Sequence, residues 1–158
     1  MRKYSWIAVL TLAADLVTKQ LARAMSAPQV LIPGVLGLRY AENTGMAFSL
    51  FSGMPWVLGV VSIVLVIGGA LILRRYRLGP WSRAAAMLIL GGAIGNGIER
   101  LFTGYVVDMI EVLAFRFAIF NVADAALCIG CGLMAVSLLI RPDEWRYKHD
   151  RNPDGNAA

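Results

Sequence analysis

The sequence predicts an all-α membrane protein: four transmembrane helices with a small extracytoplasmic β-rich loop region. Three observations carry this. Of the 158 residues 58% are hydrophobic and the mean hydropathy is +0.65, too apolar for an ordinary soluble domain of this length. Met54 to Leu73 contains no charged residue, and a hydrocarbon core of ~30 Å takes about 20 apolar helical residues to cross. The charges behind the formal net charge of +5 are unevenly placed. Arg2, Lys3, Arg74, Arg75, Arg77, Arg83, Arg141, Arg146, Lys148 and Arg151, ten of the fifteen basic residues, fall on one side of a four-span chain. Only Arg39 and Arg116 lie clearly in the other two loops. This is the positive-inside bias, and it accounts for the basic balance with no nucleic-acid partner.

The elements follow in order. The first helix, Tyr4–Ala24, has a basic start and an apolar run to Ala14. A cleaved signal peptide is disfavoured, because Asp15, Thr18 and Lys19 separate that run from the cleavage-like Ala22-Arg23-Ala24. In the outer loop Met25–Met54, Pro33-Gly34 marks a turn between two short strands. Asn43-Thr44-Gly45 reads as a further turn, and Met46-Ala47-Phe48-Ser49 as a segment dipping back toward the membrane. The second helix, Pro55–Leu73, is wholly apolar. The third, Ala84–Phe102, carries Gly91 and Gly95 as a small-x-x-x-small face for close helix contact. The loop Thr103–Ile119 shows β character at Tyr105–Val107 and again at Phe115–Ile119. The fourth helix, Phe120–Ile140, precedes a polar, frayed tail of about 142–158. Both termini are expected in the cytoplasm, and residues 1–158 form one integral membrane domain. Irregular backbone does not sit in lipid, so the outer sheet is expected at or above the interface.

Ionisable groups at membrane depth are costly, and their default reading is functional. Asp108 closes Tyr105-Val106-Val107-Asp108 at the outer end of helix three, and Asp124 lies one turn, ~6 Å, below the mouth of helix four. Each is the other's obvious partner, and two carboxyls sharing one proton are the machinery of aspartic peptide hydrolysis. Taken singly, Asp108 reads as a solvated loop residue and Asp124 as a charge on a helix N-terminus; the pair at one mouth favours a site. Asn121 shares the face of Asp124. Asn96 and Arg100 lie four apart near the outer end of helix three, pointing into the same polar pocket or, more simply, a structural asparagine with a snorkelling arginine. Asp15 and Lys19, four apart on helix one, read as an intrahelical ion pair facing the bundle. Two other classes compete. A thiol oxidant would use Cys128-Ile129-Gly130-Cys131, but Cys131 lies ~10 Å below Asp124 and the cysteines read as inert small packing residues. A proton-coupled transporter would relay through Asp15, Lys19 and Asp124, but helix two has no ionisable group and the polar residues cluster at the outer end. The single histidine, His149, lies in the tail, so no metal site is expected.

Asp15-Leu16-Val17-Thr18-Lys19, Asn43-Thr44-Gly45-Met46-Ala47-Phe48-Ser49, Gly91–Arg100, Val106-Val107-Asp108 and Phe120–Asp124 resemble, in order, the motifs of lipoprotein signal peptidase, also called signal peptidase II. Five motifs in order on a four-helix membrane chain are highly specific. The resemblance implies an aspartic endopeptidase of the bacterial inner membrane. It acts at the extracytoplasmic face as a monomer and needs no cofactor. Its substrates are diacylglyceryl-modified prolipoproteins, cut just before the lipidated lipobox cysteine, with membrane lipids as its surroundings. Asp108 and Asp124 take the catalytic positions, and Asn43, Asn96, Arg100, Asn121, Asp15 and Lys19 the substrate-binding or supporting ones. Two residues depart from the pattern: Glu99 stands where Asp is usual before the arginine, and Met109 where an aromatic commonly follows the aspartate.

Overall fold

The computed structural model describes residues 3–45, 51, 53–142 and 145–147. The chain runs α1 (Ser5–Arg23), β1 (Gln29–Ile32), β2 (Leu36–Asn43), α2 (Pro55–Arg75), β3 (Tyr76–Leu78), α3 (Pro80–Phe102), β4 (Val106–Val112), α4 (Val122–Ile140) and β5 (Trp145–Tyr147). Three of these helices, α2, α3 and α4, are long and apolar enough to cross a membrane. The fourth, α1, has the length but carries Asp15, Lys19 and Arg23 in its second half. The helices are polar inside and apolar outside. On α1, Trp6, Val9, Leu10, Val17 and Leu21 are exposed while Asp15 and Lys19 are fully buried. That is the inverse of a water-soluble helix and suits lipid as the solvent.

The bundle is organised around α3, which packs against all three other helices. Small residues allow the close approach. A Cβ on Gly91 would come 2.9 Å from the Ala8 carbonyl oxygen, and one on Gly95 2.6 Å from Asp15 Oδ2. The close-contact face that the Gly91/Gly95 spacing predicts is therefore turned to α1. Helix α3 begins at Pro80, with Pro at its first position, one turn earlier than composition suggests.

At one end of the bundle β3 and β5 pair antiparallel, Tyr76 with Tyr147 and Leu78 with Trp145. The Arg83 guanidinium lies 5.9 Å from the Tyr4 ring centroid. The start of α1, the α2–α3 turn and the end of α4 thus share one end, the end that carries Arg74, Arg75, Arg77, Arg83 and Arg141. The tail expected to be frayed instead includes a strand at 145–147, and Trp145 packs edge-on to Tyr76 over a core of Leu73, Leu78, Ala86 and Met87.

At the other end a three-stranded antiparallel sheet has the order β1-β2-β4. The Pro33-Gly34 turn joins two strands as the sequence implies. Asp108 is not in a loop, however. It lies inside β4, paired with Ala41 of β2, because Val106–Met109 are all buried against Ala22 and its neighbours at the top of α1. Phe115–Ile119 forms no strand, and only Phe120 bridges back, to Ile110. Cys128 and Cys131 are exposed. They lie on the apolar outer surface of α4 and are not interior packing residues.

Candidate active site

Asp124 is placed by the start of α4. Asn121 is the N-cap, its side chain accepting from the Asp124 amide at 2.8 Å, while Asp124 Oδ2 accepts from the Asn121 amide at 3.2 Å. This reciprocal capping box satisfies two helix-end donors and leaves Asp124 Oδ1 to accept from Asn96 Nδ2 at 2.7 Å. Asp108 is placed from β4. Its Oδ1 accepts from Asn121 Nδ2 at 2.7 Å and its Oδ2 from Asn43 Nδ2, at the end of β2, at 2.9 Å. Asn121 also reaches Asn96 Oδ1 at 3.2 Å. Three asparagines from β2, α3 and the α4 cap thus hold two carboxylates from different elements in one network. Asn43 Oδ1 in turn accepts from the Gly45 amide at 2.9 Å, which makes the expected Asn43-Thr44-Gly45 turn an Asx turn.

Asp108 is 2% exposed. Burial pushes its carboxyl up to about 6, the Asn43 amide works against that, and the nearby Asp124 charge pushes it further. The residue is therefore poised to hold a proton near neutrality, which an unperturbed aspartate is not. Amide donors suit this role. They orient a carboxyl in either protonation state, whereas a cation in contact would lock it ionised.

A second, deeper layer supports the first. Lys19 Nζ lies 2.7 Å from Asp15 Oδ2 and 3.0 Å from Glu99 Oε2, and donates to Asn96 Oδ1 at 2.9 Å. Asp15 Oδ1 accepts from the Ala123 amide at 2.9 Å, so it also caps α4. The Asp15–Lys19 ion pair is present as spacing predicts, but it is one edge of a buried network in which every charge has an opposite neighbour.

Sequence reading missed the roles of Glu99 and Arg23. Glu99 binds Lys19, pairs with Arg23 and accepts from the Val107 amide at 3.0 Å, one residue before Asp108. The available signal was Lys19 and Arg23, four apart on α1, opposite a lone buried acid on α3. Arg100 touches neither aspartate. Its Nη2 donates to the Gly45 carbonyl at 2.9 Å, while its Nε is buried without a partner among the described residues. Met46–Ser49 and His149 lie outside the described residues. Among the described residues no three His, Cys, Asp or Glu side chains converge as a metal-ligand group.

The family model of signal peptidase (SPase) II matches residues 7–140. A lipoprotein signal peptidase of Thermosynechococcus vestitus is 42% identical over 135 residues, covering 79% of this chain and 84% of that protein. One from Streptococcus pyogenes serotype M2 is 41% identical over 117 residues, covering 73% and 76%. A bacterial membrane enzyme solved by the in meso method at 2.3 Å resolution superposes with a TM-score of 0.83 at 27% identity, covering 100% of this chain and 95% of that one. A second, solved at 1.9 Å resolution, gives 0.76 at 28% identity, covering 89% and 95%.

Proposed function

Since this chain belongs to the signal peptidase II family, we propose that it removes the signal peptides of diacylglyceryl-modified prolipoproteins by aspartic catalysis, with Asp108 and Asp124 as the dyad. The observation that carries the dyad is the shared asparagine scaffold. Asn121 donates to Asp108 and caps Asp124, so one residue sets both carboxyls. In the reaction a water oxygen attacks the scissile carbonyl carbon and its proton passes to the ionised carboxylate. The protonated carboxyl supports the carbonyl oxygen and then gives its proton to the departing nitrogen. One water is consumed and the pair ends with the proton count it began with. The proton belongs to the pair, not to a named member.

Asn43, Asn96 and Asn121 orient the carboxyls, while Asp15 and Lys19 fix Asn96 and the α4 N-terminus. Arg100 has a buried Nε with no partner among the described residues, suited to a substrate peptide carbonyl. The enzyme is read as one membrane domain of four spans, with α1 as the fourth, because its outer face is apolar and its charges are buried. The arginine-rich end faces the cytoplasm of the bacterial inner membrane. The dyad then works at the extracytoplasmic surface, where the diacylglyceryl chains stay in lipid while the peptide lies across the mouth. A monomer suffices, since one chain supplies the whole constellation.

The test is cleavage of a diacylglyceryl-modified prolipoprotein by the purified chain in detergent, with a metal chelator present. A cut immediately before the lipidated cysteine is the expected result. Dependence on added metal, or equal cleavage of the unlipidated precursor, would overturn the reading.

A further inference from the structure

The two ends of the outer sheet differ in chemistry. The site end carries Asn43 and Asp108. Further out, the exposed Arg39 pairs with Glu111 at 3.1 Å, and beyond that pair the tip has no charge. Val30, Leu31, Ile32 and Val35 are each at least half exposed, at 65%, 51%, 50% and 50%. Successive strand residues point to opposite faces, so Val30 and Leu31 leave both faces of β1 apolar. A strand with one solvated face would alternate with polar residues.

The patch continues across the sheet. The Leu113 amide donates to the Val35 carbonyl at 2.9 Å. Past it, exposed Phe115 and Phe117 flank Arg116, and Phe115, Phe117 and Phe120 stack edge to face with centroids 6.0 and 5.8 Å apart. Phe120 adjoins the N-cap of α4, so the stack joins the tip directly to a membrane-length helix. On the other flank, exposed Val17 and Leu21 carry the apolar outer surface of α1 toward its sheet end.

We propose that the β1–β2 tip, with Leu113, Phe115 and Phe117, is seated in the outer-leaflet lipid. An exposed apolar patch of this size needs an occupant, and the surface continuous with it is the lipid-facing surface of α1 and α4. Depth is bounded by the backbone. Strand β1 is the edge of the sheet, and its outer amides and carbonyls meet no strand among the described residues, a need that hydrocarbon does not satisfy. The tip therefore lies at the headgroup–acyl boundary, ~5–10 Å deep, with Arg116 reaching back to the phosphates between its two aromatic neighbours. This is lower than the at-or-above position expected for a merely irregular loop. It also covers an apolar edge strand of the kind that in water invites pairing with another chain. On the proposed function, the seat fixes β2 and β4, hence Asn43 and Asp108, at leaflet depth.

The experiment is nitroxide accessibility in phosphatidylethanolamine/phosphatidylglycerol vesicles, and it uses no substrate, so its failure and that of the peptidase reading are separable. Labels go singly at Leu31→Cys and Val35→Cys, with Glu42→Cys as reference, in a Cys128→Ala/Cys131→Ala background. The expected result is relaxation by oxygen several-fold above that by a nickel chelate at 31 and 35, reversed at 42. Nickel access at 31 and 35 equal to that at 42 would overturn the seat in lipid. Protection from both reagents with spin–spin broadening would also overturn it, in favour of a second copy on the same patch.

Discussion

Asp108 and Asp124 share Asn121, while Asn43 holds only Asp108 and Asn96 only Asp124. Asp108→Asn and Asp124→Asn are near-isosteric, and each abolishes one proton-cycling member of a unit. Effects within such a unit are strongly non-additive. Each single variant should lose nearly all cleavage and the double variant should be scarcely worse, while substrate binding persists. Near-parental turnover by either single variant would sink the dyad. The pH dependence follows from Asp108. Its folded carboxyl lies at about 6 against an ordinary 3.8, so the fold favours the protonated form. The stability this lends is fully present below about 4 and is lost as the pH rises through about 6, about 3 kcal/mol in all. Melting curves of the parent should fall relative to Asp108→Asn across that window and run parallel above it. The Asn43 amide steadies the ionised form, so Asn43→Ala should move the alkaline limb of the rate profile to higher pH and lower its maximum. An unmoved limb would show that Asn43 does not act on the carboxyl.

At the scale of elements, α1 and α3 meet through a polar seam inside an apolar bundle. Glu99 is its most connected member, reaching Lys19, Arg23 and the Val107 amide. An aspartate, one methylene shorter, would not span α1 and β4 together. Glu99→Asp should therefore fold but lower kcat with KM little changed, since β4 loses the anchor next to Asp108. Glu99→Gln, which keeps the reach, should retain more activity. Equal loss in both variants, with a matching drop in melting temperature, would mean that Glu99 is needed only for the fold. This seam was only half legible in the sequence. The i, i+4 spacing of Asp15 and Lys19 gives their ion pair, and the Gly91/Gly95 spacing gives a close-contact face, though not that α1 meets it. What spacing cannot give is the pairing partner across helices, which is why Glu99 stood out only as a departure from a motif. The strand around Asp108 was read only as far as Val107, short of its observed end at Val112, for a related reason. Val106–Met109 has no polar alternation, because both faces are buried between α1 and the bundle mouth, so the period-2 signal that reveals a half-exposed strand is absent.

For the whole molecule, hydropathy carried most of the architecture, because backbone in lipid must close its own hydrogen bonds and long apolar runs therefore become helices. The β3–β5 pairing was not legible, since strands of three residues leave no periodic pattern. The same physics bears on Cys128 and Cys131. They face outward from α4, where a small apolar residue meets only lipid, so replacing both with Ala should leave turnover essentially intact. Loss of activity in a folded double variant would revive the thiol mechanism. That cysteine-free chain also reports orientation. Arg74, Arg75, Arg77 and Arg83 gather at the end made by the α2–α3 turn, and the dyad lies at the opposite end. Charge bias sets insertion with the basic end in the cytoplasm, so the two ends must differ in access from outside. In sealed cells an impermeant thiol reagent should label Ser26→Cys, in the exposed link after α1, and spare Gly79→Cys until the membrane is opened. Gly79 caps α3 with φ −69°, a conformation open to any residue, so the substitution tests access without straining the turn. Labelling of Gly79→Cys in intact cells would invert the topology and place the dyad on the cytoplasmic side, where a precursor arriving from the outer face of the membrane would not meet it.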